Sequence, residues 1–280
     1  MTEPRYLIAA LGALIAGPAA ADCGPTPGPC ILDDGEYHIA LPDSPAEGPV
    51  PAILYLHGAG SHGAAVMRNT GLVDSVTDRG YALIAPTGSR GFGSGEGRLW
   101  AFIPDFGDGR DETDFLARVS ADAGARFGID PDRTMLSGFS AGGFMVTYIA
   151  CDTPDAFPAY APIAGGFWRP HPDRCAGPVK LHHTHGWTDA TVPLEGRYLR
   201  NGQWQQGDIF AGLEIFRASN ACPTETADSF DMTEPFWRRS WTVCADGSAL
   251  ELALHPGGHM IPPGWADMAI DWFEAHMPES

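Results

Sequence analysis

Gly138-Phe139-Ser140-Ala141-Gly142 has the spacing G-x-S-x-G, and the residues around it fix what that serine can do. An apolar run, Thr134 to Ser137, leads into it and an apolar stretch from Ala141 to Ala150 follows, so the motif reads as a sharp turn between a strand and a helix. Small residues are required there because the turn leaves no room for larger ones beside the nucleophile. Ser140 then stands at the positive end of a helix, where the backbone N–H of Ala141 can donate to an oxyanion. A serine hydroxyl is a weak nucleophile, so acyl transfer further requires a base and a carboxylate to orient it, in the order Ser, Asp, His.

Both partners are present downstream. The run Val179 to Thr184 reads as a strand entering His185-Gly186-Trp187-Thr188-Asp189, with Val192-Pro193 closing the loop, which sets Asp189 at a strand's carboxyl end. Asp173 is the rival acid, in a loop ahead of that strand. His255-Pro256-Gly257-Gly258-His259 follows a strand near Leu250 to Leu254, and the two glycines let His259 reach a cleft; His255 is the rival base. The second oxyanion donor is expected in His57-Gly58-Ala59-Gly60, with the Ala59 N–H first choice and Gly60 second, and His57 as organiser of that loop. Trp168 and Trp187, on loops leaving strand ends, are expected to touch substrate, as is Trp100 to a lesser degree.

Two metal readings compete with this one. His182, His183 and His185 alternate along a strand, so at most two share a face. Asp105, Asp108, Asp111, Glu112 and Asp114 lack the spacing of a calcium loop and read as acids at a helix start. No metal is expected.

These residues need a frame, and the sequence outlines one. Strands are expected at Tyr37 to Leu41, Ala52 to Leu56, Tyr81 to Ala85 and Ala159 to Ala164 besides those above. An amphipathic stretch runs from Val66 to Arg79. Phe115, Leu116, Val119, Ala123 and Phe127 mark one face of a helix from Asp111 to Phe127, and Met268, Ala269, Trp272 and Phe273 mark another from Trp265 to His276. Alternating strands and helices predict an α/β fold, a mostly parallel sheet with helices on both faces. No internal repeat or linker divides the chain.

The first 21 residues have the form of a secretory signal peptide: Arg5, about a dozen apolar residues from Tyr6, then Ala19 and Ala21. Residues 22–280 are then a single exported catalytic domain. A lipid anchor at Cys23 is disfavoured by Asp22 before it. Cys23, Cys30, Cys151, Cys175, Cys222 and Cys244 all lie past that point, and an even number in an exported chain predicts disulfides, with neighbours paired because their loops are short. A formal charge of −18 argues against nucleic acid and anionic membranes as partners and suits a neutral or weakly charged substrate.

Taken together, Leu56-His57-Gly58, the elbow at 138–143, His185-Gly186-x-x-Asp189-x-x-Val192-Pro193, and Gly257-Gly258-His259 resemble the polyhydroxybutyrate depolymerase-like esterases, relatives of feruloyl and acetylxylan esterases. The likeness runs from about Ile53 to the end and takes in Ile129-Asp130-Pro131-x-Arg133. It implies the α/β-hydrolase fold, Ser140, Asp189 and His259 as a triad, an ester substrate and no cofactor. Met260 to Trp265 replace the Trp-Pro-Gly usual after the histidine, and Trp187 stands where a small residue is common. Extracellular depolymerases carry a separate polymer-binding domain after the catalytic one, and with 21 residues given past His259 the expectation is attack on soluble oligomers or small esters rather than crystalline polymer.

Overall fold

The computed structural model describes residues 23, 28–43, 48–93, 95–102 and 109–277. The signal-peptide reading falls outside them, as do Asp105 and Asp108.

In chain order the strands are β1 (Cys30–Leu32), β2 (Gly35–Ala40), β3 (Val50–Leu56), β4 (Ala82–Pro86), β5 (Arg90–Gly91), β6 (Arg98–Leu99), β7 (Ile129–Phe139), β8 (Ala159–Ile163), β9 (Lys180–Gly186), β10 (Arg197–Leu199), β11 (Trp204–Gln206), β12 (Ser229–Asp231), β13 (Trp237–Trp241) and β14 (Ala249–His255). The helices are α1 (Gly63–Met67), α2 (Thr70–Thr77), α3 (Glu112–Phe127), α4 (Ala141–Asp152), α5 (Ile209–Ser219) and α6 (Trp265–His276). Ten strands form one sheet in the order β1-β2-β4-β3-β7-β8-β9-β14-β13-β12. From β4 to β14 the pairing is parallel, and antiparallel strands close both edges. This is the expected α/β architecture.

Alternation along β3 shows why the sheet is covered twice. Leu54 and Leu56 sink into the layer built by α3, α4 and α5, whereas Ile53 and Tyr55 face α1, α2 and α6. Each face therefore has its own apolar core; β4 and β8 are buried along their whole length and β3 at all but Val50, as parallel strands between helices must be.

The stretch 66–79 is two helices, not one. Asn69 interrupts it by accepting a hydrogen bond from the Leu72 N–H and so capping α2. Asp111 caps α3 in the same way through the Asp114 N–H, and the left-handed Gly128 ends it. Disulfides join Cys23 to Cys30, Cys151 to Cys175 and Cys222 to Cys244, so the Cys23 sulfur is engaged with its neighbour.

Candidate active site

Ser140 sits between β7 and α4 with φ 56° and ψ −115°, a left-handed backbone that a non-glycine residue adopts only when its surroundings enforce it. Two glycines make the turn possible. A Cβ on Gly142 would run into the Leu56 carbonyl oxygen, and one on Gly138 would lie 2.7 Å from the Gly142 carbonyl carbon. The turn is pinned by Ser140 N–H donating to the Ile163 carbonyl at 2.9 Å.

β9 and β14 are paired in register to their last residues, His255 opposite Gly186, so the loops that leave them start side by side. The Trp187 N–H donates to the His255 carbonyl (2.8 Å) and the Thr188 N–H to the Gly257 carbonyl (3.1 Å), lacing the two loops together. Asp189 is buried, and its Oδ1 accepts from the Thr191 and Val192 N–H groups, each at 2.8 Å. Its other oxygen is 2.7 Å from His259 Nδ1, and His259 Nε2 is 2.9 Å from Ser140 Oγ. A carboxylate only accepts, so Nδ1 carries the proton and the bare Nε2 can accept the serine's. The arrangement can take a proton from a hydroxyl and hold the resulting imidazolium against a carboxylate.

The rivals lie elsewhere. Asp173 is exposed, and the buried His255 turns its Nδ1 to the Gly257 N–H. Burial lowers the His255 pKa.

Behind the acid loop, His183 and His185 stack on one side of β9 while His182 faces Glu251 and Trp272 on the other. His185 Nε2 donates to the Val192 carbonyl at 2.8 Å, so its Nδ1 must accept from His183 Nε2, 3.0 Å away. Burial pushes both pKa values down, which keeps the pair neutral and fixes the loop that carries Asp189.

The loop after β3 is organised around His57. Burial lowers this imidazole's pKa to about 4. Its Nε2 accepts from the Gly88 N–H (3.0 Å), Nδ1 donates to the Gly58 carbonyl (2.8 Å), and the Trp100 indole donates to the His57 carbonyl (2.8 Å). Trp100 is fully buried in that role rather than exposed to a ligand. Gly60 N–H is engaged by the Arg98 carbonyl at 2.9 Å, which leaves Ala59 of the two donors considered.

Ala59, Ser140 and Ala141 border a cavity of about 640 Å³. Its apolar wall contains Phe102, Phe144 and Trp168, with Trp168 ring centroids 5.6 Å from Phe144 and 6.4 Å from Phe102. A polar hollow of about 730 Å³ near Asp34, His38 and Arg98 contains none of the three reactive residues, so it has no part in this chemistry. Trp187 is not among the residues that border the cavity, contrary to expectation: it is 56% exposed and packs edge-on against Trp237.

Sequence reading missed the cavity's other wall, the hairpin β10–β11. Arg197 and Leu199 on one strand and Trp204 and Gln206 on the other border the cavity, while the alternate residue Tyr198 is 68% exposed. Asn201-Gly202 at its tip, both with positive φ, is the turn signal that could have revealed it.

Known proteins share parts of this sequence and fold. Residues 69–167, which include Ser140 but neither Asp189 nor His259, match the prolyl oligopeptidase family. Poly(3-hydroxyalkanoate) depolymerase C of Paucimonas lemoignei is 32% identical over 188 residues, covering 64% of this chain and 44% of that protein. A bifunctional acetylxylan esterase/xylanase of Neocallimastix patriciarum is 24% identical over 85% of this chain and 32% of its own length. The chain thus spans less than half the length of these curated relatives. Among solved structures, the acetyl xylan esterase of Aspergillus awamori superposes with a TM-score of 0.61 at 13% identity, over 86% of this chain and 94% of that one. By its sheet, its strand–turn–helix elbow and these likenesses, the chain has the α/β-hydrolase fold and is similar to esterases built on it.

Proposed function

We propose that this chain is an exported serine esterase, with residues 22–280 as one catalytic domain, that cleaves hydroxyalkanoate oligomers or related small esters. His259 Nε2 takes the Ser140 proton as Oγ attacks the ester carbonyl. The Ala59 and Ala141 N–H groups receive the oxyanion, and His259 returns the proton to the departing alcohol. Water then repeats the sequence on the acyl-enzyme and frees Ser140. The observation that carries this reading is the unbroken chain from Asp189 Oδ2 through His259 to Ser140 Oγ, with links of 2.7 and 2.9 Å, at the edge of an apolar cavity. Export is supported by the three disulfides, and among the described residues no helix is long and apolar enough to cross a membrane.

Ser140→Ala is expected to abolish hydrolysis of p-nitrophenyl butyrate and labelling by a fluorophosphonate while leaving the circular dichroism spectrum unchanged; turnover retained by the variant refutes the reading. A panel of 3-hydroxybutyrate oligomers, methyl ferulate and acetylated xylan sets the proposed substrate class against the second reading, a feruloyl or acetylxylan esterase. That alternative is favoured by the acetylxylan esterases among the relatives and solved structures.

A further inference from the structure

The chain has 35 acidic side chains to 17 lysines and arginines, so a patch chosen blindly should be acidic. The cavity beside Ser140 is the reverse. Among the described residues that border it there is no aspartate or glutamate, and there are two arginines, Arg197 and Arg200, both on the hairpin β10–β11 that forms one wall. Neither has an ion-pair partner among the described residues. Arg197 is fixed in place, its Nε donating to Gln206 Oε1 and its Nη1 to the Ala190 carbonyl, each at 3.1 Å. The Arg200 guanidinium lies 4.7 Å over the Trp204 ring, which holds it by its face. A stacked guanidinium keeps its N–H edge for a planar acceptor, and in a partly apolar cleft two such groups set the local sign of the field against that of the whole surface.

Resting on the esterase reading, we propose that this wall recognises a carboxylate on the substrate. The preferred ester carries a free acid group a few bonds from the scissile carbonyl, on the hairpin side of the cavity. The acid end of a short hydroxyalkanoate oligomer meets that description; an acetylated neutral sugar does not. Arginine and carboxylate match as two parallel N–H to O bonds, which fixes orientation as well as adding affinity.

The test compares the 3-hydroxybutyrate dimer with its N-methylamide, which is uncharged and keeps one of the two acceptor oxygens, and uses p-nitrophenyl butyrate as the neutral reference. Wild type is expected to favour the free acid in kcat/KM by on the order of tenfold, the size of one charged hydrogen bond, with the preference shrinking as salt is raised. Arg200→Gln, an exposed position, should bring the ratio close to one, Arg197→Gln should lower it, and Arg200→Lys should restore part of it. A wild type that cleaves p-nitrophenyl butyrate but treats acid and amide alike overturns the proposal and leaves the esterase reading standing, as does an unchanged ratio in Arg200→Gln. A chain that cleaves none of the three and is not labelled by a fluorophosphonate overturns both.

Discussion

The backbone N–H of Trp187 donates to the carbonyl oxygen of His255 across 2.8 Å, and this bond joins the loop that holds Asp189 to the loop that holds His259. Between them stands Gly186, where a Cβ would collide with the Gly258 carbonyl oxygen and lie 2.6 Å from that of Gly257. Gly186→Ala must therefore push the two loops apart, and Asp189 and His259 with them. Displacing a catalytic group by about 1 Å costs on the order of a hundredfold in rate. The variant should lose about that much kcat/KM on p-nitrophenyl butyrate while remaining folded; undiminished kcat/KM would mean that the lacing does not set the site.

Acid should unfold the protein partly through Glu251. Burial alone would raise the pKa of this carboxyl, but His182 beside it, the two bonds from Arg238 (2.6 and 3.1 Å) and one from Ser240 (2.7 Å) outweigh burial and hold it at about 2, against 4.5 for a free side chain. A depressed folded-state pKa stabilises the protein above pH 4.5 and loses that contribution as pH falls toward 2, a loss of roughly 3 kcal/mol at most. Glu251→Gln should lower Tm at pH 7 and flatten the decline of Tm between pH 4.5 and 2. Parallel Tm curves for variant and wild type would assign the acid lability to other groups.

The difference between what was and was not legible in the sequence follows from how each signal is written. Ser140, Asp189 and His259 could be found because each follows an apolar strand and sits in a glycine-rich turn, a local pattern tied to the carboxyl ends of a parallel sheet. The helix Trp265–His276 was equally clear, since Met268, Ala269, Trp272 and Phe273 repeat at helical spacing. By contrast, β10 and β11 are three residues each and rich in Arg and Gln, so no apolar alternation announces them. Helix α5 has buried Ile209, Leu213 and Phe216 on one face and went unread beside them. For Trp187 the sequence does not tell which side of its loop the indole leaves from; that depends on the backbone bonds that the loop makes to His255 and Gly257.

His57 offers a second pH signature, with the loop of Ala59 as its target. Its folded pKa of about 4 lies below the ordinary 6.5, so the neutral ring stabilises the protein above pH 6.5 and the contribution fades as pH falls toward 4. At pH 5 about 2 kcal/mol should already be lost. His57→Phe removes that slope and leaves the Gly88 N–H without its acceptor, costing about 1–3 kcal/mol at neutral pH. Urea unfolding of both proteins at pH 7 and pH 5 checks this, and an equal pH 7 to pH 5 loss in the two would refute it. If the loop also presents an oxyanion donor, kcat should fall about tenfold with KM little changed.

Trp168 closes the apolar end of the cavity. It is 7% exposed, packed against the stacked rings of Phe102 and Phe144 and edge-on to Trp204 with centroids 6.5 Å apart. Truncation to alanine should therefore act on stability and on selectivity together. The lost packing costs up to about 3–5 kcal/mol, less if the neighbouring rings relax into the space. The enlarged cavity should favour longer acyl chains, shifting the kcat/KM ratio of p-nitrophenyl octanoate to butyrate upward by about tenfold, since a few added methylenes find new apolar contact at about 0.8 kcal/mol each when fully buried. Trp168→Phe should keep most of the stability and move the ratio part of the way. Should the chain-length profile stay fixed in both variants while stability falls, Trp168 is a packing residue alone and the acyl chain of the substrate lies elsewhere.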